Sequence, residues 1–430
     1  MSRLTALRRT SPRLALVLLT SIAIVGFIDR IIMNVLVEPI KADFGLSDTQ
    51  IGLVNGLAFA VLNVVLGLAM ARVAERRRRL TLISFGTFFW SIATAATGLA
   101  TNFAQLLTAR IGVGVGEAVG LPSTSSVISD YFPPDKRASA ISVTMLSPPL
   151  GAFIGAAGGS LIAHSYGWQM ALYCAAIPGF LLAIALHLFV EEPTRGQHDA
   201  VDATDDVPPM LRVIARYFSW PTMRHMLIGS AVASLVGFGL NAFMASFFMR
   251  KFGFTLVEAG LTSGLVAALP AAVSVVGAGL VADRWGKTDR RSYALVPAIT
   301  LTLSTPLFLL AVSRDSAMMA ILLIGLSALA QYCYLGPTFG TFQNMLHPRM
   351  RATGSAFTNM VYSLVGGGIG PVILGALSDR FTKGAATPGD GLVLAMGVLS
   401  CFYLWAALHY WLAARHIRAD LQRPIGLEPA

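Results

Sequence analysis

The sequence predicts an all-α membrane protein of about twelve transmembrane helices in two pseudo-symmetric six-helix bundles. Three observations predict it. Apolar residues gather into blocks of roughly 20, the length at which a helix crosses a bilayer. A polar, Pro-rich segment divides those blocks six and six. Two loop sequences recur at matching places in the two halves. Composition agrees, since 55% of the 430 residues are hydrophobic and only 13% charged. A water-soluble chain carries about twice that charged fraction.

The blocks cover 14–37, 50–71, 80–100, 104–130, 138–163, 168–190, 225–249, 258–282, 292–313, 316–343, 352–376 and 391–413. The block 316–343 is long, and Gly336-Pro337 within it predicts a tilt or a break, because proline removes a helical hydrogen bond. Residues 191–224 (beginning EEPTRGQHDAVDATDDVPP) read as a flexible cytoplasmic linker between a first bundle, 1–190, and a second, 225–430. The linker ends in MLRVIARYF. This reads either as an interfacial helix or as the run-in to the seventh span. As an interfacial helix it turns Met210, Leu211, Ile214, Tyr217 and Phe218 to lipid and Arg212 and Arg216 to phosphates.

Lys and Arg set the orientation. With the N-terminus inside, the cytoplasmic segments hold 24 of the 32 basic residues and the outer segments hold 6. Both termini are therefore expected in the cytoplasm, with the chain in the inner (plasma) membrane. The first block is too long for a signal peptide, carries Asp29 and Arg30, and ends without a small-x-small cleavage site. The net charge of +10 lies between apolar blocks, which argues against nucleic acid. Cys174, Cys333 and Cys401 are far apart and inside apolar blocks, so they read as structural thiols with no metal spacing.

The repeats are FPPDKRASA (Phe132 to Ala140) with LHPRMRATG (Leu346 to Gly354), offset by 214, and ARVAERRRR (Ala71 to Arg79) with GLVADRWGK (Gly279 to Lys287), offset by 208. Both pairs fall in matching inner loops. Parallel repeats of this kind are related by an axis along the membrane normal, with the substrate site near the midplane between them.

Four charges stand inside apolar blocks: Asp29 and Arg30 in the first, Arg110 and Glu117 in the fourth. Charge in hydrocarbon is costly, so these side chains are expected to face protein or a wet cavity. Arg110 and Glu117 are seven apart, hence about 20° apart on one helix face with roughly 10 Å of rise between them. Gly112, Gly116 and Gly120 mark another face, where small residues admit a neighbouring helix. Adjacent Asp29 and Arg30 point about 100° apart and do not simply neutralise each other. The levels of the two spans allow cross-helix pairs such as Asp29 with Arg110 or Arg30 with Glu117. Burial raises a carboxyl pKa and a nearby arginine lowers it, so Glu117 or Asp29 is the candidate proton carrier if such a pairing changes during transport. The competing reading is a fixed ionic brace between the spans. Asn241, Gln331, Tyr334 and Asn359 lie near mid-depth, where an interhelical hydrogen bond competes with a role in substrate binding.

The loop GLVADRWGKT resembles the signature of the major facilitator superfamily at Gly279, Asp283, Arg284, Gly286 and Lys287. The first-half copy has Ala71 for Gly and Glu75 for Asp, and keeps Arg76 and Arg79. The resemblance implies that Glu75, Arg76, Asp283 and Arg284 latch the cytoplasmic face. Ile28-Asp29-Arg30, Asn34 to Ile40, Arg110 to Ala118 and Ser129-Asp130-Tyr131-Phe132-Pro133 resemble the spinster-like branch. That branch implies proton-linked movement of lysophospholipid- or sphingolipid-like amphiphiles. The related organic-anion symporters share parts of the pattern.

Enzyme motifs fail: Gly286-Lys287-Thr288 lacks the upstream P-loop glycine, Val281 standing there, and neither HExxH nor GxSxG occurs. The expectation is a secondary transporter, not an enzyme. It is proton-coupled, has no cofactor or metal, and is monomeric in the bilayer. It moves an amphipathic organic anion or lysolipid, with small carboxylates as the alternative. Arg30 and Arg110 would attract the anionic head, and Asn241, Gln331 and Tyr334 are further candidate substrate contacts.

Overall fold

The computed structural model describes residues 11–118, 120–194, 209–347 and 350–423. Among these residues the regular structure is helical and no strand occurs. The helices are α1 (Pro12–Val35), α2 (Val37–Phe44), α3 (Asp48–Gly67, running on as helix to Arg76), α4 (Arg79–Gly98), α5 (Phe103–Glu117), α6 (Gly120–Tyr131), α7 (Ala140–Tyr166) and α8 (Trp168–Phe189). There follow α9 (Met210–Ser219), α10 (Pro221–Ala242), α11 (Met244–Phe252), α12 (Leu256–Gly286), α13 (Ser292–Val312), α14 (Ala317–Met345), α15 (Thr353–Thr382) and α16 (Pro388–Asp420).

Eleven helices among the described residues are long and apolar enough to cross a bilayer. The expected fourth span, 104–130, is helical as α5 and α6 on either side of residue 119, which lies outside the described residues. Neither piece alone reaches the roughly 20 residues a span needs.

Helix ends follow local chemistry. Ser47 and Gln50 form a capping box at the start of α3, and Thr387 and Asp390 form one at the start of α16. Gly167, at φ +87°, joins α7 to α8 in a conformation that a side chain would strain. In α14 the regular helix gives way to a tighter turn at Tyr332–Tyr334. The break stands one turn ahead of the expected Gly336-Pro337, because a proline disturbs the carbonyl four residues before it, here that of Cys333.

The chain divides into two compact units. Unit 1 comprises residues 1–203, 242–249 and 254–264, and unit 2 comprises 204–241, 250–253 and 265–430. The first turns of α12 group with unit 1 because Gly260 lies so close to α7 that a Cβ there would meet Ser160.

Within unit 1, α5 presents the glycine face the sequence predicts. A Cβ at Gly112 would lie 3.1 Å from that of Ala93 on α4, and one at Gly116 would lie 2.7 Å from Trp90. Gly114 meets α3, where a Cβ would fall 2.7 Å from the carbonyl oxygen of Phe59. Glycines on α7 (Gly151, Gly155, Gly159) do the same against Phe27, Ile28 and Ile32 of α1. These contacts set α5 at backbone distance from α3 and α4, and α7 at backbone distance from α1.

Within unit 2, α9 differs from the interfacial reading in two residues. Leu211, Arg212 and Phe218 are exposed, but Tyr217 and Arg216 are buried. The Tyr217 ring meets Phe342 and Phe357 edge-on, and its hydroxyl bonds the Gly354 carbonyl and Thr358. The Arg216 guanidinium lies 4.9 Å from the Trp220 ring centroid. An amphipathic helix turns its apolar stripe to whatever surface is nearest, and here the body of unit 2 takes that place.

Candidate functional site

Both anticipated ion pairs form in unit 1. Arg110 Nη1 donates to Asp29 Oδ2 at 2.9 Å, and both side chains are about 2% exposed. The other Asp29 oxygen accepts the Thr94 hydroxyl of α4 at 2.6 Å. Asp29 is thus held from two helices. Thr94 completes the acid side of this buried pair, while Arg110 Nε is buried without a hydrogen-bond partner.

The second pair is built differently. Arg30 donates through Nε to Glu117 Oε2 at 2.8 Å, and through Nη2 to the same oxygen. Its guanidinium lies 4.7 Å from the Phe59 centroid and 5.4 Å from that of Phe27, so two aromatic faces steady the cation. The Arg30 side chain is 33% exposed, against 4% for Glu117. Glu117 Oε1 is buried and has no hydrogen-bond partner. It leans over Gly26, whose missing side chain leaves it room. The carboxylate is therefore half satisfied, which is costly in a dry interior.

The side chains of Glu75 and Arg76 lie outside the described residues. Their neighbour Arg79 is 3% exposed and is the hub of that end of unit 1. It donates to Asp130 at 2.5 Å, Ser126 at 2.7 Å and Glu192 at 2.8 Å, while Glu192 also accepts the Leu80 amide at 2.9 Å. Arg79 and Asp130 stand in separate sequence motifs, and Glu192 belongs to neither. The Glu-Glu-Pro after α8 was the available signal, since an acid at a span end facing an arginine-rich loop is a natural partner. In unit 2, Asp283 accepts the Tyr293 hydroxyl at 2.8 Å, and Arg284 is exposed.

Asn241, Gln331 and Tyr334 all belong to unit 2. Asn241 donates to Tyr332 at 3.0 Å and to the Gly237 carbonyl at 2.8 Å. Gln331 accepts the Tyr403 hydroxyl, and Tyr334 packs edge-on against Tyr362. Asn241 and Gln331 thus spend polar atoms on interhelical bonds. The tight turn in α14 makes Tyr332 the tyrosine that meets Asn241, a partner that spacing alone does not reveal.

A model of the Major Facilitator Superfamily matches residues 18–371. An MFS-type efflux pump of Mycolicibacterium smegmatis is 31% identical over 421 residues, 96% of each chain. Protein spinster homolog 1 of Bos taurus is 28% identical over 412 residues, covering 89% of this chain and 76% of that one. A solved bacterial homolog of the human lysosomal transporter spinster, in an inward-facing and unoccupied conformation, matches with a TM-score of 0.88. It is 28% identical, with 96% of this chain and 99% of that chain covered. The chain belongs to the major facilitator superfamily, in its spinster-like branch, and is a multi-pass membrane transporter rather than an enzyme.

Proposed function

We propose that the protein is a proton-coupled transporter of an amphipathic organic anion, with lysolipids as the leading substrates, working by alternating access. Glu117 carries the proton and Arg30 receives the anionic head group. The observation that supports this is the half-satisfied Glu117: one oxygen rests on Arg30, and the other is buried without a partner. An anion arriving at the one-third exposed Arg30 competes with Glu117 for the same guanidinium. A buried carboxylate that loses its cation takes up a proton rather than stay charged. Substrate and proton then enter together, and the site keeps its net charge.

Arg110 has a different part in this scheme. Its guanidinium is sealed against Asp29, so it sets the local potential and orients Asp29 rather than touching the head group. Asp29 is the second candidate for the proton, open only when Arg110 withdraws. Asn241, Gln331 and Tyr334 are proposed as further substrate contacts, with Tyr332 beside them through its bond to Asn241. Glu75, Arg76, Asp283 and Arg284 are proposed as the cytoplasmic latch. The orientation inferred from Lys and Arg, both termini in the cytoplasm of a monomer in the plasma membrane, completes the reading.

The test is uptake by proteoliposomes under an imposed pH gradient, with labelled lysophospholipid and with a panel of small carboxylates in parallel. Gradient-dependent lysolipid movement is expected. Movement of carboxylates alone would keep the coupling scheme and refute the lipid substrate. Movement of either that ignores the pH gradient would refute the coupling.

A further inference from the structure

Three of the seven histidines gather in unit 2, at the end where α9 joins α10. His225 stands on the first turns of α10, and His409 and His416 stand two turns apart on α16. Nδ1 of His225 lies 3.0 Å from Nδ1 of His409, with ring centroids 5.2 Å apart. His416 lies parallel to His225 at 6.4 Å, and Trp405 flanks His409 at 6.1 Å. His225 and His409 are half-buried, and His416 is exposed.

Two imidazole nitrogens at hydrogen-bond distance impose a strict proton count. A neutral imidazole has one donor and one acceptor nitrogen, and an imidazolium has two donors. The contact therefore needs one nitrogen protonated and the other bare. When both rings are imidazolium, two donors stand head to head and two cations side by side.

The surroundings offer such a pair little relief. Arg224 is the neighbour on α10, and Arg415 and Arg418 stand on α16. The carboxylates at this end are already engaged. Asp420 accepts the Thr222 amide at 2.9 Å and pairs with Arg423 at 3.2 Å, and Asp289, just ahead of α13, pairs with Arg418 at 3.0 Å. From α9, Arg216 adds another cation, stacked on Trp220. From α14, Thr338 bonds the Tyr410 hydroxyl of α16, a neutral contact.

We propose that His225 and His409 form a proton-binding clasp between α10 and α16, closed while one of the two facing nitrogens is bare and released when both rings are imidazolium. One turn further along α10, a Cβ at Gly229 would lie 3.0 Å from the Ala406 carbonyl and the Tyr410 ring, so the helices touch closely there whatever the pH. The clasp thus acts on the first turn of α10, which also carries the joint to α9. Its ligand is the proton, and its release lies at the acid end of the interval from pH 5 to 8 in which histidine changes charge, because it sets two cations side by side. It is independent of Glu117 and of the proposed coupling.

The test is a double-mutant cycle in the purified full-length protein, with thermal unfolding followed at pH 7.5 and pH 5.5. The variants are His225→Gln, His409→Gln and the pair together. At pH 7.5 the two sites should couple by about three- to tenfold in the folded-to-unfolded ratio, the worth of one net hydrogen bond. At pH 5.5 the coupling should vanish or reverse. Equal coupling at both pH values, or none at pH 7.5, would overturn the proposal. His416→Gln and Glu117→Gln should leave the cycle unchanged. Nitrogen-15 spectra of histidine-labelled wild type give a second readout that needs no variant. One Nδ1 of the pair should be protonated and the other bare at pH 7.5, and finding neither protonated would refute the clasp.

Discussion

Unit 1 meets its mid-span polarity with ions, and unit 2 meets it with neutral groups. In unit 1, Asp29, Arg110, Arg30 and Glu117 join α1 to α5, with Thr94 of α4 as the added partner. In unit 2, the interhelical bonds run from Asn241 to Tyr332, Tyr403 to Gln331, Tyr410 to Thr338 and Ser304 to Ser327. Neutral pairs within a membrane are worth well under 2 kcal/mol each and hold helices together without responding to a proton. Charged pairs are costly to keep dry and respond strongly when one partner leaves. Unit 1 therefore has the chemistry to couple, and mid-span unit 2 the chemistry to hold.

The contrast repeats on a smaller scale inside unit 1. Asp29 with Arg110 is enclosed and braced by Thr94 on the acid side. Arg30 with Glu117 is open on the arginine side and unfinished on the acid side. The sealed pair should govern stability and the open pair should govern transport.

The largest effect should come from breaking the sealed pair. Arg110→Met strands Asp29 in a dry interior, and a cost of about 3–5 kcal/mol is expected in thermal unfolding of the purified protein. The double variant Asp29→Asn with Arg110→Met should recover much of that loss. If Arg110→Met unfolds like wild type, the brace is not structural. Next comes the helix seam that delivers these residues. Gly114→Ala puts a methyl 2.7 Å from the Phe59 carbonyl oxygen. Overpacking of this kind should cost about 1–3 kcal/mol and lower the unfolding midpoint. A tolerated alanine would mean that α3 and α5 can part, and that the charges are not fixed by this contact. The smallest effect belongs to unit 2. Tyr403→Phe removes one neutral bond to Gln331, for about 0.6 kcal/mol, with the pH dependence of transport unchanged. A shift in that pH dependence would break the division between the units.

The site was legible in the sequence where helical periodicity decides. Seven residues bring Arg110 and Glu117 to one face, and the depth of the spans leaves Asp29 and Arg30 as their cross-helix partners. The glycine face of α5 was legible for the same reason. What periodicity cannot show is which helix lies opposite. Thr94 as the second partner of Asp29, and Glu192 as that of Arg79, are set by tertiary packing between residues far apart in the chain. Tyr332 as the partner of Asn241 is likewise set by tertiary packing, between residues 91 apart in the chain. In α9 the amphipathic pattern was correct, but a pattern does not distinguish lipid from protein, and Tyr217 faces protein.

Glu117 is proposed to carry the proton that couples transport. The direct measurement compares wild type with Glu117→Gln in proteoliposomes, reading uphill accumulation under a pH gradient beside substrate exchange without one. The variant should fold, keep exchange and lose accumulation, because glutamine stands in for a permanently neutral acid. Accumulation that survives in the variant and still collapses with a protonophore would contradict it and move the proton to another group.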